Sequence, residues 1–278
     1  MFRSGPPRSL TPMTRVSILG GGKMGEALLG GLVDAGHAPD RLCVAEADPE
    51  RRNALEQAWP GVRAVPSAAW ALPDADVVIV AVKPGDVASL LDDAADALRA
   101  DALVLSIAAG VTIAELEARA PGRPVVRAMP NTPALVRQGA AAIAGGTHAT
   151  EADLDLAERL LGAVGIVVRV PEHQLDAVTG LSGSGPAYVF LVAEALIEAG
   201  VLAGLARADA VALVRQTLLG SATLLASGDS SPEQLRAAVT SPGGTTAAGL
   251  RALEAHGVRS ALIDAVMAAT ERSRELGS

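Results

Sequence analysis

Apolar positions in the first half of the chain come in short β-branched runs separated by stretches of helical spacing. Val16-Ser17-Ile18-Leu19 predicts a strand, and residues 23–35 place Met24, Ala27, Leu28 and Leu32 on one helix face. Leu42 to Glu46 predicts a second strand. Asp48-Pro49-Glu50 then opens a helix, with aspartate as N-cap and proline in the first turn. Val77-Val78-Ile79-Val80-Ala81-Val82 is continuously apolar, as expected of a central parallel strand covered on both faces. Strands over 103–107 and 125–129 follow, separated by a short helix that Thr112 and Glu115 open as a capping box. The runs 140–144 and 166–170 complete the sheet. This alternation predicts an α/β domain built on a doubly wound, Rossmann-type parallel sheet.

After Pro171 the strand pattern stops. Helices are predicted at 172–181, 185–203, 206–227, 232–239, 245–255 and 258–276, broken by Gly- or Pro-containing segments. The expected organisation is a sheet domain over 13–170 and an all-α domain over 171–278. Residues 1–12, with three prolines and no apolar core of a leader, are expected to be a disordered extension or a misassigned start, since Met13 stands directly before the first strand. The helical half is rich in Ala and apolar on more than one side, so burial in an oligomer is its expected outlet. Its most apolar stretch, 187–204, contains Glu194 and Glu198 and reads as a buried helix, not a membrane span.

Composition narrows the chemistry. Half the residues are hydrophobic but only 2% are aromatic, so the core must be built from Ala, Val, Leu and Ile. A net charge of −8 with no basic cluster argues against a nucleic-acid partner. The single cysteine, Cys43, lies in an apolar run; an inert buried thiol and a reducing, cytoplasmic compartment are expected. No spacing of His, Cys and carboxylates suggests a metal, and no Ser-His-Asp arrangement is visible. The four histidines lie outside every candidate segment and are expected at the surface or in loops.

Gly20-Gly21-Gly22-Lys23-Met24-Gly25 fits the G-x-G-x-x-G pattern between a strand and a helix. Glycines there permit a tight turn and let the backbone approach a pyrophosphate held at the helix N-terminus. A nicotinamide dinucleotide, NADPH or NADH, is the expected ligand. Lys23 has two readings, a charge beside the phosphates or a solvated loop lysine. Glu46 ends the second strand, where a carboxylate bonds the adenine ribose and disfavours a 2′-phosphate; Arg51 and Arg52 follow closely enough to hold that phosphate, and the preference stays open. Ala81-Val82-Lys83-Pro84 closes the central strand at its carboxyl end, where ligands of such sheets bind. Asn131, between Pro130 and Pro133, either bonds the nicotinamide or stabilises a turn.

Two segments of the helical half stand out. Residues 182–188, Ser-Gly-Ser-Gly-Pro-Ala-Tyr, precede the longest apolar helix and read either as a site or as an interhelical turn. In Ser241-Pro242-Gly243-Gly244-Thr245-Thr246, a glycine pair flanked by hydroxyl residues at a helix start forms a nest of N–H donors suited to a carboxylate. Lysines weigh against one rival: β-hydroxyacid dehydrogenases use a lysine in their second half, whereas this chain has only Lys23 and Lys83. An imine reductase, a deazaflavin-dependent NADP reductase or a non-catalytic nucleotide-sensing scaffold would keep the glycine turn without needing the carboxylate nest.

The stretches ILGGGKMGEALLGGL (18–32), AVKP (81–84), SIAAGVTI (106–113), RAMPNTP (127–133), TGLSGSGPA (179–187) and LRAAVTSPGGTTAAG (235–249) together resemble the pyrroline-5-carboxylate reductase family, in family order and over nearly the whole chain from Met13. The resemblance implies a reductase that delivers a hydride from NAD(P)H to the C=N carbon of 1-pyrroline-5-carboxylate, giving L-proline as the last step of proline biosynthesis. It also implies a homodimer interlocked through the helical domain and assembled into larger rings such as a decamer. On matching positions, Gly20, Gly21, Gly22, Lys23, Met24, Gly25, Glu46, Ala81, Val82, Lys83, Pro84, Ala108 and Asn131 would line the cofactor. Ser241, Gly243, Gly244, Thr245 and Thr246 would hold the substrate, with the Thr246 hydroxyl at the imine nitrogen as the catalytic group.

Overall fold

The structure, a computed structural model, describes residues 14–277; the expected extension over 1–12 and Met13 lie outside the described residues. By their contacts the residues form two compact units, 14–183 with 269–277, and 184–268.

The first unit is an eight-stranded sheet. Its strands are β1 (Val16–Leu19), β2 (Leu42–Ala45), β3 (Arg63–Val65), β4 (Val77–Val80), β5 (Leu103–Ser106), β6 (Val125–Met129), β7 (Gly139–Gly145) and β8 (Gly165–Arg169). They lie in the order β3-β2-β1-β4-β5-β6-β7-β8. All pairs are parallel except β6 with β7. That antiparallel step departs from an all-parallel expectation, and chain length explains it. Residues 130–138 fall short of the dozen or so that a parallel crossover needs.

Helices α1 (Lys23–Asp34), α2 (Pro49–Ala58), α3 (Ala68–Ala71), α4 (Pro84–Ala94), α5 (Ile113–Arg119) and α6 (Glu151–Gly162) cover the faces. Alternate residues of the strands feed two cores. Leu19, Val78, Val80, Leu91 and Leu116 pack on one face. Ile18, Leu28, Leu32, Ile79, Leu105 and Leu160 pack on the other. Each such side chain, fully buried, stabilises the fold by about 1.5–3 kcal/mol. The helix starts follow local chemistry. Asp48 caps α2 through the Glu50 N–H, and Thr112 and Glu115 form the reciprocal box that opens α5.

The segment after Pro171 is tied to the sheet. Leu175, in the short helix α7 (Leu175–Val178), is buried in the first core, and Asp176 accepts a hydrogen bond from Ser273 at 2.7 Å. A π-helical turn, Thr179–Gly183, follows. The second unit holds α8 (Gly185–Leu202), α9 (Arg207–Ala226), α10 (Pro232–Ala238), α11 (Thr245–Ala255) and the start of α12 (Val258–Leu276). In it α8 approaches α9 closely at Gly200, where an added Cβ would sit 3.1 Å from that of Ala210. The expectation that the 187–204 helix is buried is corrected within a single chain, since α8 has no buried residue. His37 lies in the loop after α1, within the expectation of a surface or loop position. It is buried, with Nε2 2.8 Å from the Thr14 carbonyl, and burial pushes its imidazole below the ordinary value.

Candidate functional site

Tight packing around the glycine turn dictates its sequence. Gly20 has φ +113°, and a Cβ there would lie 2.6 Å from the Ala81 carbonyl oxygen. At Gly25 a Cβ would fall 2.0 Å from the Gly20 oxygen, so only glycine lets α1 start this close to β1. Gly22, between them, has an ordinary φ of −68° and would meet nothing within 4 Å. Two glycines are therefore required by the fold, and the third faces open space. Gly22 is also the N-cap of α1 and no side chain caps it, an arrangement that can receive an anion at the first-turn N–H groups. The turn fits the pyrophosphate of a dinucleotide.

Glu46 follows β2 directly. Its carboxylate accepts from the Gly21 N–H at 3.1 Å and from the Asp48 N–H at 3.0 Å, which fixes it beside the turn. Lys23 is exposed as the first residue of α1, and Met24 is half-buried against the second core. The central strand ends at Val80, earlier than the apolar run, and Ala81 and Val82 emerge half-buried from its carboxyl end. Exposed Lys83 is the extended N-cap of α4, which begins at Pro84. Ala108 is buried just past β5, its N–H donating to Ser106 Oγ at 3.3 Å. These residues all sit at the carboxyl ends of neighbouring strands, the ligand edge of an open α/β sheet. A cavity of about 670 Å³ lined by Arg15, Cys43, Arg63 and Trp70 lies at the opposite edge and excludes the glycine turn. There burial pushes the Cys43 thiol up, against the nearby Arg63 guanidinium, in keeping with an inert cysteine.

Asn131 lies on the same edge but is engaged by the fold. Its Nδ2 donates to the Ser182 carbonyl at 3.0 Å, and its Oδ1 accepts the Ala140 N–H at 2.8 Å. The turn-stabilising reading is the one this geometry favours, because both ends of the amide already bridge the loop after β6 to its neighbours. Arg51 and Arg52 are likewise committed. Arg51 Nε donates to the Gly21 carbonyl at 2.9 Å and its Nη2 pairs with Glu26. Arg52 donates to the Glu46 and Ala47 carbonyls, each at 2.7 Å.

Sequence reasoning missed an ion pair. Arg127, 8% exposed in the middle of β6, pairs with Glu172 at 3.0 Å, and the same carboxylate oxygen accepts the Ile113 N–H at 2.7 Å. A lone arginine in the apolar run Val125–Met129 was the available signal. The pair holds the start of α5, and with it the loop 107–112 that carries Ala108.

In the second unit, Ser241-Pro242-Gly243-Gly244 forms the bend before α11. Gly243 has φ +69°, and the Gly244 N–H closes onto the Ser241 carbonyl at 3.0 Å. No side chain caps α11 at Gly244. Its first turn, with Thr245 exposed and Thr246 half-buried, presents backbone donors and two hydroxyls in one place. Such a bend can accept a carboxylate. Residues 182–188 contain the end of the π-helical turn and the start of α8, where Tyr188 donates to the Ala265 carbonyl at 3.4 Å; this is a structural role within the helices. Among the described residues no cluster of three or more His, Cys, Asp or Glu has metal-binding geometry.

Comparison with known proteins agrees with both halves. Residues 172–276 match the family described as pyrroline-5-carboxylate reductase dimerisation, and residues 15–110 match that described as NADP oxidoreductase coenzyme F420-dependent. The pyrroline-5-carboxylate reductase of Mycobacterium tuberculosis is 48% identical over 95% of this chain and 97% of its own length. The solved pyrroline-5-carboxylate reductase of Coxiella burnetii superposes with a TM-score of 0.91 at 37% identity, over 96% of this chain and 99% of that one. The Plasmodium falciparum pyrroline carboxylate reductase, solved with NADP bound, gives 0.83 at 31% identity over 95% and 98%. The glycine turn at the carboxyl edge of the sheet and full-length similarity of this degree converge on one conclusion: the chain belongs to the pyrroline-5-carboxylate reductase family.

Proposed function

We propose that the chain reduces 1-pyrroline-5-carboxylate to L-proline with its dinucleotide on the Gly20–Gly25 turn and the substrate carboxylate on the Ser241–Thr246 bend. The observation that carries this reading is Gly22, a glycine that the fold leaves in open space at an uncapped helix start. Residues 13–170 take the dinucleotide role, and residues 171–278 the substrate and dimerisation roles. The reduced nicotinamide supplies the hydride when bound.

The chain's own contribution is orientation and water exclusion. A protonated cyclic imine already carries its proton on nitrogen and is electrophilic at carbon, so no strong acid is needed at the nitrogen. N–H groups at the start of α11 and the loop glycines Gly243 and Gly244 hold the carboxylate, with Ser241 and Thr245 beside them. The Thr246 hydroxyl hydrogen-bonds at the imine nitrogen and fixes the face presented to the cofactor. Ala81, Val82, Lys83, Pro84 and Ala108 form the floor along the strand ends. No lysine or histidine lies on that bend, in keeping with a substrate that brings its own proton.

The working assembly is a homodimer that associates into larger rings such as a decamer, in the cytoplasm, with no nucleic-acid or membrane partner. The acidic net charge and the carboxylates of α8 support that reading. Consumption of NADPH or NADH on addition of 1-pyrroline-5-carboxylate, with proline as product, tests the activity. Thr246→Ala is expected to lower kcat by roughly ten- to a thousand-fold, with Thr246→Ser restoring most of it. Unchanged kcat in Thr246→Ala removes the hydroxyl from the mechanism.

A further inference from the structure

We propose that Glu46 makes this enzyme prefer NADH to NADPH by presenting a fixed carboxylate to the adenine ribose. The proposal rests on the dinucleotide lying along the Gly20–Gly25 turn.

Two backbone N–H groups, of Gly21 and Asp48, hold the carboxylate, one on each oxygen. A side chain pinned in this way cannot swing aside when a ligand arrives. A carboxylate has about four acceptor sites, so two remain for the hydroxyls of an unmodified ribose. A 2′-phosphate at that place would set a second anion against a charge that is already fixed.

A site for the phosphate needs cations or donors that are free to turn toward it, and the neighbouring groups are engaged. The Arg51 guanidinium bonds the Gly21 carbonyl and pairs with Glu26, which couples α2 to the turn and to α1. Arg52 bonds two consecutive carbonyls, those of Glu46 and Ala47, and so closes the bend that leads into α2. Ala47, the next residue after Glu46, brings no side-chain donor. Turning either arginine toward a phosphate would break bonds that hold the turn and the bend in shape. The same two arginines that suggest a phosphate site in the sequence are thus structural in the fold.

Isothermal titration with ADP-ribose and with its 2′-phosphate, together with kcat/KM for NADH and NADPH, tests the proposal. The wild-type protein is expected to bind ADP-ribose and to use NADH about tenfold better or more than the phosphorylated counterparts. Glu46→Ser is expected to lower that ratio by about tenfold, weakening ADP-ribose and strengthening the 2′-phosphate form. Glu46→Gln keeps an acceptor for one N–H while removing the charge, and should shift the ratio the same way even if the serine variant folds poorly. Equal or tighter binding of the 2′-phosphate form by the wild type overturns the proposal, as does an unchanged ratio in Glu46→Gln. Binding of neither fragment overturns the cofactor reading itself, and this proposal with it.

Discussion

Glycines that look alike in the sequence separate sharply once their surroundings are known. Gly25→Ala puts a methyl group 2.0 Å from a backbone oxygen in the sheet unit, so something must shift; the expected cost is about 1–3 kcal/mol of stability. Gly22→Ala meets nothing in the protein and has a compatible φ, so its stability should stay within about 0.5 kcal/mol of wild type. The same methyl group would stand where the pyrophosphate approaches, and KM for the nicotinamide cofactor should rise about tenfold. Thermal melts and cofactor titrations of the two variants read these outcomes; a Gly22→Ala enzyme with unaltered KM would place the dinucleotide elsewhere. The G-x-G-x-x-G spacing named these positions but gave no hint of which of them the fold itself requires to be glycine. Glu46 was legible because its place after an apolar run is a local fact. The engagement of Arg51, Arg52 and Asn131 was not, because each bonds partners brought close only by the folded chain, such as Ser182 for Asn131.

Elements whose ends are set by adjacent residues were the ones the sequence predicted well. The box at Thr112 and the cap at Asp48 involve partners two or three residues away, and α5 and α2 start where those residues require. The sequence pattern predicts no element between α2 and the central strand, where β3 and α3 lie. Each is too short to show a period, and Ser17 reaches the α3 backbone only in the fold, donating to the Ala71 carbonyl. The π-helical turn at Thr179–Gly183 likewise has no composition signature; it is recognised by its backbone and by the Ser182 carbonyl it offers to Asn131. Arg127 shows what such long-range links contribute. Arg127→Met removes a buried partner and leaves Glu172, which is one-third exposed, holding Ile113 alone; the expected cost is about 1–3 kcal/mol, below that of a fully buried pair. Glu172→Gln keeps an acceptor for the Ile113 N–H. The double variant should therefore cost less than the sum of the two singles by at least about 0.5 kcal/mol in urea unfolding. Strict additivity would show that β6 and the 172 segment are held by other contacts.

At the scale of the whole molecule the two units solve the burial problem differently. The sheet unit covers its apolar strands on both faces with its own helices. In 184–268, by contrast, Ala210 is the only residue counted as buried among the described ones, while Phe190, Leu191, Leu202 and Leu224 are 61%, 66%, 89% and 65% exposed. A monomeric protein rarely exposes so many large apolar side chains to water. The stretch 172–202 is long and apolar enough to cross a membrane by length and composition, but Glu194 and Glu198 sit within it, and a carboxylate in lipid is costly. A second copy of the chain answers both facts, and the matching family model for 172–276 is one of dimerisation. Apolar helix faces that meet their like in a second copy bury side chains of this kind. Leu191→Glu on α8 and Leu224→Glu on α9 each place a charge on such a face. Each is expected to shift the protein from dimer to monomer or aggregate in size-exclusion chromatography with light scattering, and reductase activity should fall with the dimer fraction. Should both variants remain dimeric and fully active, these faces would lie outside the interface, and the exposed leucines would need another cover.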